Sequence, residues 1–212
     1  MAKIKYCIWD VGNVIYDYSL DPLHEWLSER TADAALFEER RGHYNYNDYM
    51  KGLVPYEAFC RDLCAFYAVP YQSEYNIALN KAFHQGVGNF YPETRQMMKE
   101  LDGQGIGNCV LSNALPVLKN TARVDDLIPQ KRQFTSFDLG LLKPDPAIYT
   151  AVRDCLGCAF DELIFVDDKP KNTKAAAELG IRAVTFKPQT VQRDIRMILN
   201  SPKILMQQGI ER

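Results

Sequence analysis

Four polar motifs of the 212-residue chain contain residue types that handle phosphate groups and metal ions. They are Asp10, the pair Ser112-Asn113, Lys143 and the pair Asp167-Asp168. A carboxylate can attack phosphorus, hydroxyl and backbone N–H groups can donate to phosphoryl oxygens, and a lysine supplies a positive charge. Two adjacent aspartates repel each other unless a cation or hydrogen-bond donors intervene, which favours a metal site. Together these motifs predict phosphoryl transfer.

Three of the motifs directly follow short apolar segments that are typical of buried strands. A fourth such segment lies further along, and the four segments are 4–9, 107–111, 163–166 and 181–186. Asp10 follows the first segment, Ser112 the second and Asp167 the third. Each of these strands is therefore expected to deliver a polar side chain into the loop at its carboxyl end.

Helical patterns separate these strands and define the fold class. Residues 93–101, 146–156 and 172–179 are predicted helices, with Asn172 expected as the N-cap of the last one and Gly180 just beyond its end. Strands that alternate with helices predict an α/β protein with a doubly wound parallel sheet covered on both faces. Ligands of such sheets bind at the carboxyl ends of the strands, where the polar motifs lie.

Residues 18–88 are expected to form a separate all-helical unit, because no clear strand is present in this range. Tyr56, Phe59, Leu63 and Phe66 follow one another at helical spacing. This predicts a helical cap of residues 18–88 inserted into an α/β core of residues 1–17 and 89–212. Val191, Ile195, Ile198 and Leu199 predict a final helix packed on that core.

The four motifs, in this order over nearly the whole chain, resemble those of the haloacid dehalogenase (HAD) superfamily of hydrolases. The resemblance implies a Rossmann-like core with an inserted cap. The segment from Asp10 to Val14 (DVGNV) is similar to the group that includes bacterial α-glucose-1-phosphate phosphatases.

The resemblance also implies a role for each motif. Asp10 would be the nucleophile that forms an aspartyl-phosphate, and Ser112 and Lys143 would complete the catalytic set. Ser112, the backbone N–H of Asn113 and Lys143 would bind the phosphoryl group. Mg²⁺ would be held by Asp10, Asp167 and the carbonyl of Gly12, with Asp168 acting through water or orienting its neighbours.

Gly12 is the main departure from the superfamily pattern, in which most phosphatases carry a second aspartate two residues after the nucleophile. Glycine cannot transfer a proton to the leaving oxygen. Either the leaving group departs unaided, as an anomeric hydroxyl, an aryl oxide or an acyl group does, or a water, Asp17, His24 or His43 supplies the proton. The first case fits sugar 1-phosphates better than ordinary alcohol phosphates.

These observations favour a Mg²⁺-dependent phosphatase acting on a small phosphorylated metabolite, with a sugar phosphate as one candidate. Two alternatives remain: a haloacid dehalogenase, in which Asp10 attacks carbon without metal, and a phosphate-binding or regulatory protein that has lost turnover. The first is disfavoured by Asp167-Asp168, because this pair would repel an anionic substrate in the absence of a cation.

The overall composition argues against other classes of function. The chain is 47% hydrophobic and 25% charged, and 25 basic residues against 27 acidic ones give a net charge of −2. This balance lacks the basic excess of a nucleic-acid-binding protein. The apolar segment 6–9 is too short for a signal peptide or a membrane span. We therefore expect a cytoplasmic protein, monomeric or homodimeric, with no nucleic-acid or membrane partner.

Overall fold

The computed structural model describes residues 3–119, 124 and 126–200. The strands are β1 (Tyr6–Trp9), β2 (Tyr16–Tyr18), β3 (Val87–Phe90), β4 (Gly107–Ser112), β5 (Gln133–Thr135), β6 (Leu163–Asp167) and β7 (Arg182–Thr185). The helices are α1 (Asp21–Ser28), α2 (Ala34–Arg40), α3 (Asn47–Met50), α4 (Tyr56–Phe66), α5 (Tyr75–Gln85), α6 (Pro92–Gly103), α7 (Ser136–Leu139), α8 (Pro146–Leu156), α9 (Pro170–Glu178) and α10 (Val191–Asn200). Short 3₁₀ helices span Pro116–Leu118, Gln130–Arg132 and Phe160–Glu162.

A parallel sheet with the strand order β5-β4-β1-β6-β7 forms the centre of the core. Every pairing within it is parallel, and β1 lies between β4 and β6. The central strands are continuous apolar segments because helices cover both of their faces. The predicted doubly wound α/β fold is confirmed, and each of the four predicted strands is present.

The two faces of the sheet belong to different apolar clusters. Alternate residues of β1 point to opposite faces, so that Trp9 packs with Met97 and Ile195 on one side. Ile8 packs with Ile148 and Phe165 on the other. Trp9 and Ile8 are both almost completely buried. This two-sided burial holds β1, and with it the loop that begins at Asp10, in one place.

The helices α1 to α5 have a third apolar cluster of their own. Phe59 and Leu63 lie on the buried face of α4, as their spacing predicts, and they pack with Phe83 of α5. The ring of Tyr49 stacks on that of Phe59 with 3.9 Å between the ring centroids. Aromatic packing therefore stabilises this helical segment.

Two predictions about local structure are wrong. The range 18–88 contains strand residues, because β2 and β3 pair antiparallel across its two ends. Asn172 is not an N-cap: Lys169 takes that position, since Pro170 already supplies the backbone angle of a first helical residue. Both proposed domain boundaries fall inside strands of this small sheet, and the division into core and cap stays a prediction.

No helix within the described residues is long and apolar enough to cross a membrane.

Candidate active site

The predicted nucleophile lies at the carboxyl edge of the sheet beside one residue of the acidic pair. The register of the sheet pairs Trp9 with both Val110 and Val166. Asp10 and Asp167, the next residues of their segments, therefore lie side by side. The carboxyl ends of adjacent parallel strands meet at one edge, which is why residues so far apart in sequence converge here.

Lys143 joins these two carboxylates. Its Nζ lies 2.9 Å from Asp10 Oδ1 and 2.7 Å from Asp167 Oδ2. It also donates to the Leu111 carbonyl oxygen at 2.8 Å. All three N–H donors of the ammonium group are thus used within the protein, and the side chain has no exposed surface. The cation offsets the repulsion between two carboxylates that are buried together.

The side chain of Asn113 fixes the loop that carries Lys143. Its Oδ1 accepts a hydrogen bond from the Lys143 backbone N–H at 2.8 Å, and its Nδ2 donates to the Lys143 carbonyl oxygen at 2.9 Å. This pair of hydrogen bonds joins the end of β4 to the Lys143 loop. Only the backbone of Asn113 was predicted to contribute to the site, so this side-chain contact is an additional positioning interaction.

Asp167 accepts hydrogen bonds on both of its oxygens. Asn172 Nδ2 lies 2.9 Å from Oδ1 and 3.0 Å from Oδ2, and the Lys169 backbone N–H donates to Oδ1 at 2.8 Å. Together with Lys143, these donors satisfy a carboxylate that is completely buried. Asn172 was predicted only as a helix cap, and its contact with Asp167 is a site interaction that the sequence analysis missed.

Three carboxylates at this edge are close enough to hold a metal ion. Asp10, Asp167 and Asp168 each offer one oxygen, and these oxygens lie within 4.8 Å of one another. Asp168 Oδ1 is buried without a hydrogen-bond partner, whereas the oxygens of Asp167 are engaged by donors. A hard divalent cation such as Mg²⁺ would satisfy the Asp168 oxygen. This geometry offers the Asp168 carboxylate, together with those of Asp10 and Asp167, as a candidate side-chain ligand.

Burial dominates the electrostatics of these groups. It raises the pKa of Asp10 to about 6, although the nearby Lys143 ammonium opposes the increase. Burial also raises the pKa of Asp168, and the adjacent Asp167 adds to that effect. Both shifts reflect the free energy needed to hold negative charge away from water, and a divalent cation at this site would reverse them.

The loop after Asp10 turns back towards β2 and leaves space at Gly12. Asn13 adopts a left-handed backbone with φ of 60°, and its Oδ1 accepts a hydrogen bond from the Tyr18 backbone N–H at 3.0 Å. A Cβ atom at Gly12 would lie 3.5 Å from the Cβ of Tyr18, which is an ordinary van der Waals contact. A side chain at position 12 would therefore fit.

A cavity of about 350 Å³ begins beside Gly12. Ser112 and Asn113, the predicted phosphate-binding residues at the end of β4, also line it. Ser112 is thereby placed on the same side of the site as Gly12. The cavity extends away from this end between β2 and the segments around β5.

The residues considered as substitutes for the missing acid lie elsewhere. Neither Asp17, His24 nor His43 is among the described residues that line the cavity. Asp17 and His43 are exposed. His24 is buried, its ring packs against Tyr67, and burial lowers its pKa.

A family model for haloacid dehalogenase-like hydrolases matches residues 4–180 of the chain. Acyl-CoA dehydrogenase family member 10 of Mus musculus is 26% identical over 168 residues, which are 73% of this chain and 15% of that protein. Phosphoserine phosphatase of Thermus thermophilus is 29% identical over 97 residues, which are 44% of this chain and 39% of that protein. The chain thus spans much less than two thirds of the length of either relative.

The fold is also similar to that of solved structures. A wild-type HAD family enzyme from Bacteroides thetaiotaomicron, in complex with magnesium and inorganic phosphate, superimposes with a TM-score of 0.69. The two chains are 21% identical, and the alignment covers 87% of this chain and 95% of that one. At this identity the likeness shows the shared fold.

Proposed function

We propose that this protein is a magnesium-dependent phosphatase acting on a small phosphorylated metabolite. The proposal starts from its family, because the chain belongs to the haloacid dehalogenase-like hydrolases. The observation that carries the proposal is the arrangement around Asp10. One of its oxygens is held by Lys143 at 2.9 Å, and Asp168 offers a buried oxygen without a partner nearby. A nucleophilic carboxylate next to a site for a divalent cation is what attack on an anionic phosphate requires.

Asp10, Asp168 and the carbonyl of Gly12 are the proposed ligands of Mg²⁺. The two carboxylates follow from the geometry above, and the carbonyl follows from the resemblance to the superfamily. Bound Mg²⁺ supplies positive charge that offsets the repulsion between a carboxylate and a phosphate. Asp167 then acts as a partner of Lys143 and Asn172, to which it is already hydrogen-bonded.

The protein's own groups then divide the reaction into two displacements. An oxygen of Asp10 forms a bond to phosphorus while the bond to the leaving oxygen breaks, which yields an aspartyl-phosphate. Water next attacks the phosphorus and releases inorganic phosphate and the Asp10 carboxylate. Ser112 and the backbone N–H of Asn113 are proposed to donate to the phosphoryl oxygens in both steps. Lys143 contributes charge and holds Asp10 in place, because its three donors are already used.

The leaving group must depart without a proton from position 12, which is Gly12. We therefore propose a phosphate ester whose leaving oxygen is stable as an anion, with sugar 1-phosphates and aryl phosphates as the candidate classes. The Thermus phosphoserine phosphatase and the magnesium and phosphate complex of the Bacteroides enzyme support phosphate chemistry in general. They do not distinguish these substrate classes.

The test is phosphate release from p-nitrophenyl phosphate with Mg²⁺, repeated with EDTA and with Asp10→Asn. We expect turnover that depends on the metal and falls at least 10³-fold in the variant, because the amide is a poor nucleophile. Asp161→Asn is the matched control, since Asp161 is exposed in the 3₁₀ helix just before β6, at the opposite edge of the sheet. It should retain full activity.

Three outcomes would contradict the proposal. Turnover that persists in EDTA would exclude the role of the metal. Release of chloride from 2-chloropropionate without metal would instead identify a dehalogenase. Phosphate binding without turnover of any phosphate ester would identify a binding protein.

A further inference from the structure

We propose that the cavity beside Gly12 binds an aromatic leaving group, so that the substrates are aryl phosphates rather than sugar phosphates. This inference rests on the proposed phosphatase function and adds the class of substrate. It is drawn from the position of the cavity, the chemistry of its walls and the absence of an acid at position 12.

The cavity is continuous with the proposed phosphoryl site. Gly12, Ser112 and Asn113 line it, and these residues follow β1 and end β4 at the edge where Asp10 lies. A phosphoryl group bound by Ser112 would direct its ester oxygen into this space. The volume of about 350 Å³ exceeds what a phosphate needs and lies within the range of small-molecule sites, roughly 300 to 1,000 Å³.

The walls of the cavity are mainly apolar. Aliphatic and aromatic side chains from four segments contribute to them, including Val11, Tyr16, Val110, Leu115, Leu118 and Phe137. Flat, apolar groups are favoured by such surfaces, because their transfer from water stabilises the complex in proportion to the apolar area that is buried. A sugar ring would instead place hydroxyl groups against carbon.

Three of the polar side chains in the lining are already used within the protein, whereas the Tyr18 hydroxyl, which also lines the cavity, has no hydrogen-bond partner among the described residues. Both polar atoms of the Asn113 amide hydrogen-bond to the backbone of Lys143. Thr135 Oγ1 donates to Asp138 Oδ2 at 2.7 Å, and Gln133 Nε2 donates to the Ile128 carbonyl at 2.6 Å. These groups would have to give up a partner before they could bind sugar hydroxyls, which opposes sugar recognition.

The charges in the lining also balance. Lys119 is the cationic side chain among the described lining residues, and its Nζ lies 3.5 Å from Asp138 Oδ1. Both side chains are more than half exposed at the rim. Among the described lining residues the cavity therefore has no unbalanced charge to recognise a second phosphate or a carboxylate, and these walls suit a neutral organic group.

An aromatic leaving group also agrees with the chemistry at Gly12. A phenol leaves as a phenolate, whose charge is spread over the ring, and it needs no proton from the protein as the bond to phosphorus breaks. An alkyl alcohol would leave as an unstable alkoxide. Glycine at position 12 thus supplies no acid, and it also leaves the adjacent end of the cavity open and apolar.

The experiment compares 2-naphthyl phosphate, phenyl phosphate, glucose 1-phosphate and acetyl phosphate as substrates with Mg²⁺. Naphthol and phenol have similar acidities, so that their phosphates differ mainly in apolar area. We expect kcat/KM for 2-naphthyl phosphate to exceed that for phenyl phosphate by about tenfold and that for glucose 1-phosphate by about 10²-fold or more. Binding of 2-naphthyl phosphate to Asp10→Asn, followed by naphthyl fluorescence, should show the same order without turnover.

Leu118→Asp tests the cavity itself, because Leu118 lines it. The variant should weaken naphthyl phosphate binding and lower its kcat/KM by at least tenfold, and it should affect acetyl phosphate much less. Leu53→Asp is the matched control: Leu53 is 66% exposed and lies outside the described lining, so both substrates should be unaffected.

Two results would overturn the inference. One is equal or tighter binding and faster turnover of glucose 1-phosphate than of 2-naphthyl phosphate. The other is a loss at Leu118→Asp no greater than at Leu53→Asp. If no phosphate ester is turned over but Asp10→Asn still prefers naphthyl phosphate, the proposed function fails and the binding preference stands.

Discussion

The two sides of Asp10 differ in polarity: a network of paired charged groups lies on one side and a mainly apolar cavity on the other. On one side, Lys143, Asp167 and Asn172 form a buried network in which ammonium and carboxylate groups are hydrogen-bonded to one another. On the other side, Gly12 opens into a cavity with mainly apolar walls. Among the described residues, the fixed charges that contact the nucleophile lie on the first side.

This difference indicates how the protein distributes its contribution to the reaction. Charge on the network side can orient the nucleophile. It can also offset the negative charge of the phosphoryl group, which is present throughout the reaction. The cavity side provides space and apolar contact but no acid at position 12, so the substrate itself must stabilise the leaving oxygen.

Replacing Lys143 should remove most of the stability of the network. In Lys143→Met, two buried carboxylates lose their shared cation, which should lower the free energy of unfolding by about 3–5 kcal/mol in urea denaturation with EDTA present. Lys119→Met is the control, because Lys119 forms an exposed ion pair with Asp138. That pair should contribute no more than about 1 kcal/mol. Similar losses in the two variants would contradict the contrast.

An acid introduced at position 12 should supply the leaving-group proton that the cavity side lacks. Gly12→Asp should raise kcat/KM for an alkyl phosphate such as glycerol phosphate by about 10²-fold, or about 2.7 kcal/mol, because a carboxylic acid can protonate the alkoxide. A Cβ at this position makes an ordinary contact with Tyr18, so the variant should fold. Gly12→Asn has the same shape without the proton and should show no increase; an equal gain in both variants would refute the explanation.

The hydrogen bonds of Asn172 should be worth less than the Lys143 cation but still be measurable. Asn172→Leu keeps the branched shape of the side chain and removes the amide that donates to Asp167, which should lower the free energy of unfolding by about 2 kcal/mol. Asn89→Leu, at an exposed position of β3, should change it by less than about 0.5 kcal/mol. If Asn172→Leu leaves the free energy of unfolding unchanged, Asp167 does not depend on this amide.

The smallest effect is expected at a hydroxyl on the cavity side. Tyr18 Oη is buried and has no hydrogen-bond partner in the part of the chain that the structure describes. Its removal in Tyr18→Phe should therefore leave the free energy of unfolding unchanged or raise it by up to about 1 kcal/mol, as measured by thermal denaturation. Tyr149→Phe is the contrast, because the Tyr149 hydroxyl donates to the Asn172 carbonyl at 3.0 Å and its loss should cost about 1 kcal/mol. A larger loss at Tyr18 than at Tyr149 would reverse the comparison.

Local sequence patterns predicted much of the fold because they reflect burial directly. The strands β1, β4 and β6 are mainly apolar and buried, and the apolar part of each is followed by a polar residue at its carboxyl end. The helix α8 begins and ends at the predicted residues, between its cap at Asp145 and the left-handed Gly157. By contrast, β2 and β3 are short and only partly buried, and their mixed pattern does not predict a strand.

The amino-acid sequence by itself determined the α/β core and which residue types stand at the strand ends, because apolar spacing and chain breaks are local properties. The contacts of those residues depend on the tertiary structure. The pairing of Asn172 with Asp167, the use of all three Lys143 donors and the unpartnered oxygen of Asp168 each depend on groups that approach from distant segments. The cavity beside Gly12 has the same origin, since its walls come from separate parts of the chain and no single segment specifies their spacing.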